Sequence, residues 1–346
     1  MNLSYRKKRA GFSLIELMVS MGILTVLMYM LTILLDNVQK VWVSSESRIG
    51  QFREARVAFD LLSKNLGQAS LNTYFDLEDE DGDGLVDQYY RTSELHFVTM
   101  DALGLDVTGE QKPVGHAVFF QAPLGFSTAY RNLNNLFNGR GYFVAFGGDK
   151  NFRPSFVKSA ERYRFRLMEF RPPAEANQIF EDGGTERAAG EPQEFTEWFR
   201  QAATLPGDSG GFEDHLNPLA ENIVTLIISP RDSLIGSSGG RKNTFSEIAP
   251  NYKYDSNDSS DGFAGFAQQV PPLVRVTMVA IDEVSAIRLE DGDQLPEVIP
   301  SELFRVTSNY EKDIAALSIE LDEKRINYKI FSSMVMLRSA KWSDNN

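Results

Sequence analysis

Residues 12–35, FSLIELMVSMGILTVLMYMLTILL, are 24 residues carrying one formal charge, Glu16, directly behind the basic cluster Arg6-Lys7-Lys8-Arg9 and the pair Ala10-Gly11. No other stretch constrains the fold so strongly. As a helix rising ~1.5 Å per residue, this run spans roughly 36 Å, enough to cross a ~30 Å hydrocarbon core with some tilt. The basic cluster favours the cytoplasmic side, so the body of the chain is expected outside the inner membrane, in the periplasm or beyond. A secretory signal peptide has a shorter apolar core followed by a small-x-small cleavage site, which is missing here. An ordinary single-pass anchor explains the length and the flank but not the acid. A carboxylate near the bilayer centre costs about 2.5–3.5 kcal/mol, so it is expected to be paired or functional.

A third reading gives the acid a role. If the chain is cut between Gly11 and Phe12, Phe12 gains a free amine and Glu16 becomes the fifth residue of the product. In a packed filament its carboxylate can then neutralise the amine of a neighbouring subunit. The segment Arg9-Ala-Gly-Phe-Ser-Leu-Ile-Glu-Leu resembles the class III prepilin leader of type IV pilins and type II secretion pseudopilins. The matching features are basic residues, Gly before the cut, Phe after it and Glu five residues on. That resemblance implies cleavage and N-methylation by a prepilin peptidase, with this chain as substrate. Its partners would be other pilins or pseudopilins and an inner-membrane assembly platform.

The helix is expected to continue past the apolar run. Phe52, Ala55, Phe59, Leu62, Leu66 and Ala69 recur every three or four residues, while Arg53, Arg56 and Lys64 mostly fall on other faces. This predicts a leader (1–11), a transmembrane half-helix (12–35), an exposed half-helix (36–72) and a head (73–346). After residue 72 the period becomes strand-like, with runs at 94–99, 116–122, 142–146, 163–170, 223–229, 273–281 and 326–337. A short helix is expected at 313–321. One long helix followed by many strands predicts an α+β, pilin-like fold with a mainly antiparallel sheet against the helix. The stretch 231–269, rich in Gly, Ser, Asn and Asp, reads as a long flexible loop.

The head widens the resemblance. Ala220-Glu-Asn-Ile-Val-Thr-Leu-Ile-Ile-Ser-Pro-Arg and Pro271-Pro-Leu-Val-Arg-Val-Thr-Met-Val-Ala-Ile-Asp look like the paired strands of J-type minor pseudopilins and PilW-like minor pilins. Gln51-Phe-Arg-Glu-Ala-Arg-Val-Ala-Phe-Asp, His116-Ala-Val-Phe-Phe-Gln-Ala-Pro-Leu-Gly and Tyr163-Arg-Phe-Arg-Leu-Met-Glu-Phe-Arg are similar to protein C of the Verru_Chthon cassette family. This likeness implies a prepilin-type protein and supplies no catalytic residues.

Charge narrows the partners. The net charge is −13, and setting aside the leader's +4 leaves −17 on the rest. So negative a body repels phosphates, and direct nucleic-acid binding is not expected. The chain has no cysteine, which removes disulfides, thiolate metal sites and cysteine nucleophiles.

Four motifs invite chemistry. In Asp79-Glu-Asp-Gly-Asp-Gly-Leu-Val-Asp87, the acids Asp79, Asp81 and Asp83 hold positions 1, 3 and 5 of a calcium loop, and Gly84 supplies the turn at position 6. The Leu85 carbonyl and Asp87 fall at positions 7 and 9. Tyr90 stands where the twelfth-position acid belongs, so Asp76 or Glu94 would have to substitute. The competing reading is a solvated acidic loop. Gly207-Asp-Ser-Gly-Gly211 matches the nucleophile box of chymotrypsin-like proteases, but no histidine has the matching context, and a Gly-rich turn is the plainer meaning. His96, His116 and His215 are widely spaced, which suits structural histidines in strands better than zinc ligands. Asp291-Gly-Asp293 reads as a turn.

Three functions remain. The first is a non-enzymatic minor pilin or pseudopilin, its large head suiting the tip or initiation complex of a filament. The second is a filament-borne adhesin or DNA- or ligand-uptake module acting through 231–269. The third is a membrane-anchored exported enzyme, which requires a convergent polar pocket.

Overall fold

The computed structural model describes residues 13–79, 84–105, 107, 111–130, 133, 135–154, 156–177, 198–199, 215–232, 248–258 and 267–341. The chain divides into two units, Met1–Gly50 and Gln51–Asn346. Helix α1 (Leu14–Leu66) begins in the first and ends in the second.

In the first unit the helix is long and apolar enough, by length and composition, to cross a membrane over Leu14–Asp36. In the second unit its sequence becomes amphipathic. Ala55, Ala58, Phe59, Leu62 and Leu66 are buried, whereas Arg53, Arg56 and Lys64 are exposed. The expected core stripe is therefore present. The helix stops at Leu66, six residues before the expected 72. There Gly67 N–H still reaches Ser63 O, but Gln68 and Ala69 donate to carbonyls only three residues back. Ser70 N–H then crosses to Gln121 O, so the chain leaves the helix to dock on a strand.

The head follows as β1 (Tyr74–Glu78), β2 (Gln88–Thr92), β3 (Phe97–Asp101), β4 (Lys112–Pro123), β5 (Phe137–Gly147), β6 (Arg164–Phe170), β7 (Leu216–Glu221), β8 (Ile223–Arg231), β9 (Tyr254–Asp255) and β10 (Leu273–Ile281). Helices α2 (Glu283–Leu289) and α3 (Tyr310–Glu323) precede the last strand, β11 (Tyr328–Met336). The strands form a hairpin, β1-β2, a six-stranded sheet in the order β7-β6-β5-β4-β3-β9, and a three-stranded sheet, β11-β10-β8. The pairings described are all antiparallel. The fold is α+β: an apolar N-terminal helix, then mainly antiparallel sheet.

The six-stranded sheet is buried on both faces, so its central strands read as nearly continuous apolar runs. Val118, Phe120, Tyr142, Val144, Phe165 and Leu167 join the core that contains the α1 stripe. Ala117, Phe119, Phe143, Ala145, Met168 and Phe170 point the other way, under Trp198 and Phe199. Phe119 stacks on Phe199 with centroids 4.3 Å apart. The three-stranded sheet is also covered twice: Phe331 meets Phe59 of α1, while Thr277 and Ser332 meet Tyr310 of α3.

Two backbone positions connect the sheets. Asn222 adopts φ +61°, a conformation Asn tolerates better than most residues. Its N–H bonds Phe165 O of β6 and its carbonyl accepts from Ile281 of β10, so one residue carries the chain from β7 in one sheet to β8 in the other. Gly115 has φ +72° at the register shift in β4. A Cβ there would stand 2.6 Å from Thr225 Oγ1 and 2.9 Å from Leu226 O, so glycine lets β4 close on β8.

The seven expected strands are all present, 273–281 at its expected limits and the others with shifted ends. The run at 94–99 begins later, at Phe97, because the Asn72 side chain captures Ser93, Glu94 and Leu95. The segments 220–231 and 271–282, which look like paired strands, do pair as β8 and β10. The short helix at 313–321 extends to Tyr310–Glu323. Strands β1, β2, β7 and β9 and helix α2 were not foreseen. The flexible-loop reading of 231–269 needs correction. Arg231 ends β8, and 248–258 carries buried Ile248, Ala249, Tyr252 and Tyr254, with β9 pairing to β3. Thr99 Oγ1 donates to Tyr252 O, and Thr307 donates to Pro250 O and Ala249 O, which pins this stretch. Residues 233–247 and 259–266 lie outside the described residues.

Candidate functional site

The first turn of α1 explains part of Glu16. Ser13 caps the helix: its hydroxyl accepts from Glu16 N–H at 3.3 Å. Glu16 Oε2 in turn accepts from Ser13 N–H and Ser13 Oγ, each at 3.2 Å. This is a capping box, in which two otherwise unsatisfied donors are bonded reciprocally. The serine and threonine hydroxyls of the apolar window also bond backwards along the helix: Ser20 to Leu17 O, Thr25 to Met21 O and Thr32 to Met28 O. Such bonds spare a lipid-facing helix its unsatisfied polar groups. The Glu16 carboxylate is the one formal charge of residues 12–35 and the costliest group there in such a setting. Gly11 and Phe12 lie outside the described residues.

The acidic loop joins the two strands of the β1-β2 hairpin. Asp79 Oδ2 accepts from Gly84 N–H at 2.8 Å, and Gly84 takes φ +83°. The position-1 acid and the position-6 turn are thus in contact. Leu85 and Asp87 are exposed. Asp81 and Asp83 lie outside the described residues, as does 207–211 with its Gly-Asp-Ser-Gly-Gly box.

The histidines sit apart. His96 is fully buried; Trp198 Nε1–H donates to its Nδ1 at 3.1 Å, so Nε2 carries the proton toward Asp255 Oδ1 at 2.7 Å. His116 is also buried. Ile228 N–H donates to its Nδ1 at 3.2 Å and its Nε2 faces Phe304 O at 3.3 Å. Burial lowers the His116 pKa to about 4, against the pull of the Phe304 carbonyl and Asp101. Both histidines thus use both ring nitrogens within the chain. Beside His116 lies a mainly apolar cavity of about 280 Å³, lined among others by Gly115, Thr225, Ile227, Val298 and Phe304. Gly292 takes φ +60° between Asp291 and Asp293, which form a turn as expected.

The arginines of Tyr163-Arg-Phe-Arg have structural work. Arg164, almost wholly buried, pairs with Glu290 and lies 3.6 Å from Glu283. Arg166 reaches Glu221 at 3.3 Å and donates to Gly147 O at 2.8 Å. They fasten β6 to the ends of β5 and β7 and to α2.

Residues 6–32 match the family described as the prokaryotic N-terminal methylation motif. The match supports a type IV prepilin-like protein. Neither curated proteins nor solved structures gave a match to the chain. The matched residues contain the basic cluster, Glu16 and most of the apolar window. For a prepilin-like chain, the apolar helix and the motif are consistent with membrane anchoring, and an apolar N-terminal helix followed by antiparallel sheets is consistent with a pilin-like fold. The capping box was readable but missed: Ser13 and Glu16 stand three apart at the start of an apolar run, the sequence signature of a helix N-terminus.

Proposed function

We propose that this prepilin-like chain is a structural subunit, a minor pilin or pseudopilin, of a type IV pilus or a type II secretion-like filament. In this reading prepilin peptidase cuts between Gly11 and Phe12 and methylates the new terminus. The subunit waits in the inner membrane with its head on the periplasmic side. An assembly platform then inserts it beside other pilins, at the tip or initiation complex. The J-type and PilW-like likeness, and that to the Verru_Chthon cassette family, belong to this same reading.

One observation carries it: the methylation motif at 6–32 places a single carboxylate in an apolar run whose serine and threonine hydroxyls bond within their own helix. Glu16 spends Oε2 on its own cap, and Oε1 faces no bond from the described residues. A neighbouring subunit's ammonium is the cation that suits it there, because a charge inside an apolar bundle is tolerable chiefly when paired. Mass spectrometry of the membrane form should give a chain beginning at N-methylated Phe12. An intact Met1 terminus would refute the reading. Glu16→Ala should still insert into membranes yet fail to enter filaments beside partner subunits.

For the acidic loop we propose weak calcium binding, with Asp79, Asp81, Asp83, Asp87 and the Leu85 carbonyl as oxygen donors. The Asp79–Gly84 bond supports this by folding the first ligand position back on the turn. Titration calorimetry should register calcium, and Asp81→Ala and Asp83→Ala should weaken it. A silent titration would leave an acidic loop and nothing more.

A further inference from the structure

The β1-β2 hairpin is joined to neither larger sheet. A two-stranded hairpin is at best marginally stable on its own. Its base is held firmly. Asn72 Oδ1 accepts from Ser93 Oγ and from the N–H groups of Glu94 and Leu95, Thr73 Oγ1 donates to Gln268 O at 2.7 Å, and Arg91 donates to Ala267 O at 3.3 Å. Beyond that base one face of the blade is exposed. Phe75 lies opposite Arg91 and Leu77 opposite Tyr89, so these four side chains share one face. The Arg91 guanidinium sits over the Phe75 ring. Phe75 is 65% exposed, Leu77 54% and Tyr89 68%. Leu85 and Val86, at the far end of the connection, are exposed too. Aromatic and branched side chains grouped on one exposed face, on a rigid base, mark an interaction surface rather than ordinary surface scatter.

Charge selects what covers it. From Asp76 to Asp87 the sequence holds seven acids and no Lys or Arg, against the single cation Arg91 on the face itself. A second copy brought to the same face would set acid against acid, anionic lipid would be repelled, and so would nucleic-acid phosphates. The complementary occupant is a protein patch with an apolar centre and a cationic border.

We propose that the face made by Phe75, Leu77 and Tyr89, extended by Leu85 and Val86, docks another pilin-class subunit that presents an apolar patch bordered by lysines or arginines. The identity of that class rests on the functional reading above; the face and its charge preference do not.

The test uses the full-length chain in its native membrane. A benzophenone amino acid is placed at position 75 and, separately, at position 89, and photocrosslinked products are identified by mass spectrometry. The expected product is a different chain bearing its own N-terminal methylation motif, linked through an apolar peptide flanked by Lys or Arg. Crosslinks only to a second copy or to lipid, or none at all, overturn the proposal. Binding of that crosslinked subunit to the detergent-solubilised chain should then fall at least ~10-fold for Phe75→Ser/Tyr89→Ser, as for central interface anchors. A second variant, Asp79→Lys/Asp87→Lys, keeps the apolar face and should weaken binding while flattening its salt dependence; unchanged affinity in both variants also overturns the proposal. The methylated Phe12 terminus and filament entry are read in the same samples. If both are normal and the crosslinks fail, the hairpin inference falls alone; if both fail, the functional reading falls first.

Discussion

The two units of this chain satisfy their polar groups in opposite ways. From residue 13 to residue 36, each side-chain hydrogen bond described spans three or four residues: Ser13 with Glu16, Ser20 with Leu17, Thr25 with Met21, Thr32 with Met28. In the head the decisive bonds are remote. Asn65 donates to Tyr142, 77 residues away; His96 meets Asp255 across 159; His116 meets Phe304 across 188. A lipid-facing helix must be self-sufficient, because nothing beside it can complete a hydrogen bond. A head with cores on both faces of a sheet has no such restriction. Its specificity lies in long-range closure.

The sharpest test of that contrast is truncation on the two halves of α1. Leu62→Ala removes a fully buried side chain from the head core and should cost about 3–4 kcal/mol in denaturant unfolding followed by near-ultraviolet circular dichroism. Leu24→Ala, on the exposed window, should move the same transition by no more than ~0.5 kcal/mol. Equal effects would mean that the apolar window also supports the head, and the contrast would fail.

A second test exploits pH. His116 is held near pKa 4 in the folded head against 6.5 unfolded, so the folded state binds fewer protons between these values. Its contribution is therefore fully present above pH ~6.5 and is lost as pH falls toward 4, by about 3 kcal/mol at most. The slope of stability against pH in that window should be shallower in His116→Gln than in the wild type. Carboxylates that titrate in the same range are common to both proteins and cancel in the comparison. A slope unchanged by the substitution would show that the His116 ring is not held buried and neutral between β4, β8 and the 295–305 segment.

The same contrast explains what could be read from the sequence. The apolar window, its basic flank, Glu16 and the stripe from Ala55 to Leu66 are local patterns with period 3.6 or plain composition. Strand β10 was placed at its observed limits because nine residues, apolar or Thr apart from Arg275, stand between a Pro pair and an acid. What escaped depends on remote partners. Strand β9 is two residues long and exists because β3 lies beside it. Strand β7 contains Pro218, which argues against a strand until the sequence is seen to lie at a sheet edge. The burial of Arg164 and Arg166 has no local sequence signal, because Glu290, Glu283 and Glu221 are distant in sequence. At the candidate site the reverse held: the Ser13–Glu16 box was local, and it was missed because the acid had been explained by an intermolecular pair alone.

The smallest predicted effect separates those two explanations of Glu16. Ser13→Ala removes the hydroxyl cap and leaves the carboxylate; it should cost about 1 kcal/mol, confined to the first turn and seen as faster hydrogen exchange at the amides of residues 14–17. Glu16→Gln keeps a side chain able to close the box but removes the charge. If the charge serves a neighbouring terminus, Glu16→Gln should be as defective in filament entry as Glu16→Ala, whereas Ser13→Ala should enter. If the acid serves only its own helix, the order inverts: Glu16→Gln enters normally and Ser13→Ala shares the defect of Glu16→Ala. Because the capping term is local and small while burying an unpaired carboxylate in a bundle costs several kcal/mol, the first outcome is expected. The inverse would leave Glu16 served by its own helix, as the window's serines and threonines are, and the need for a partner's amine would disappear.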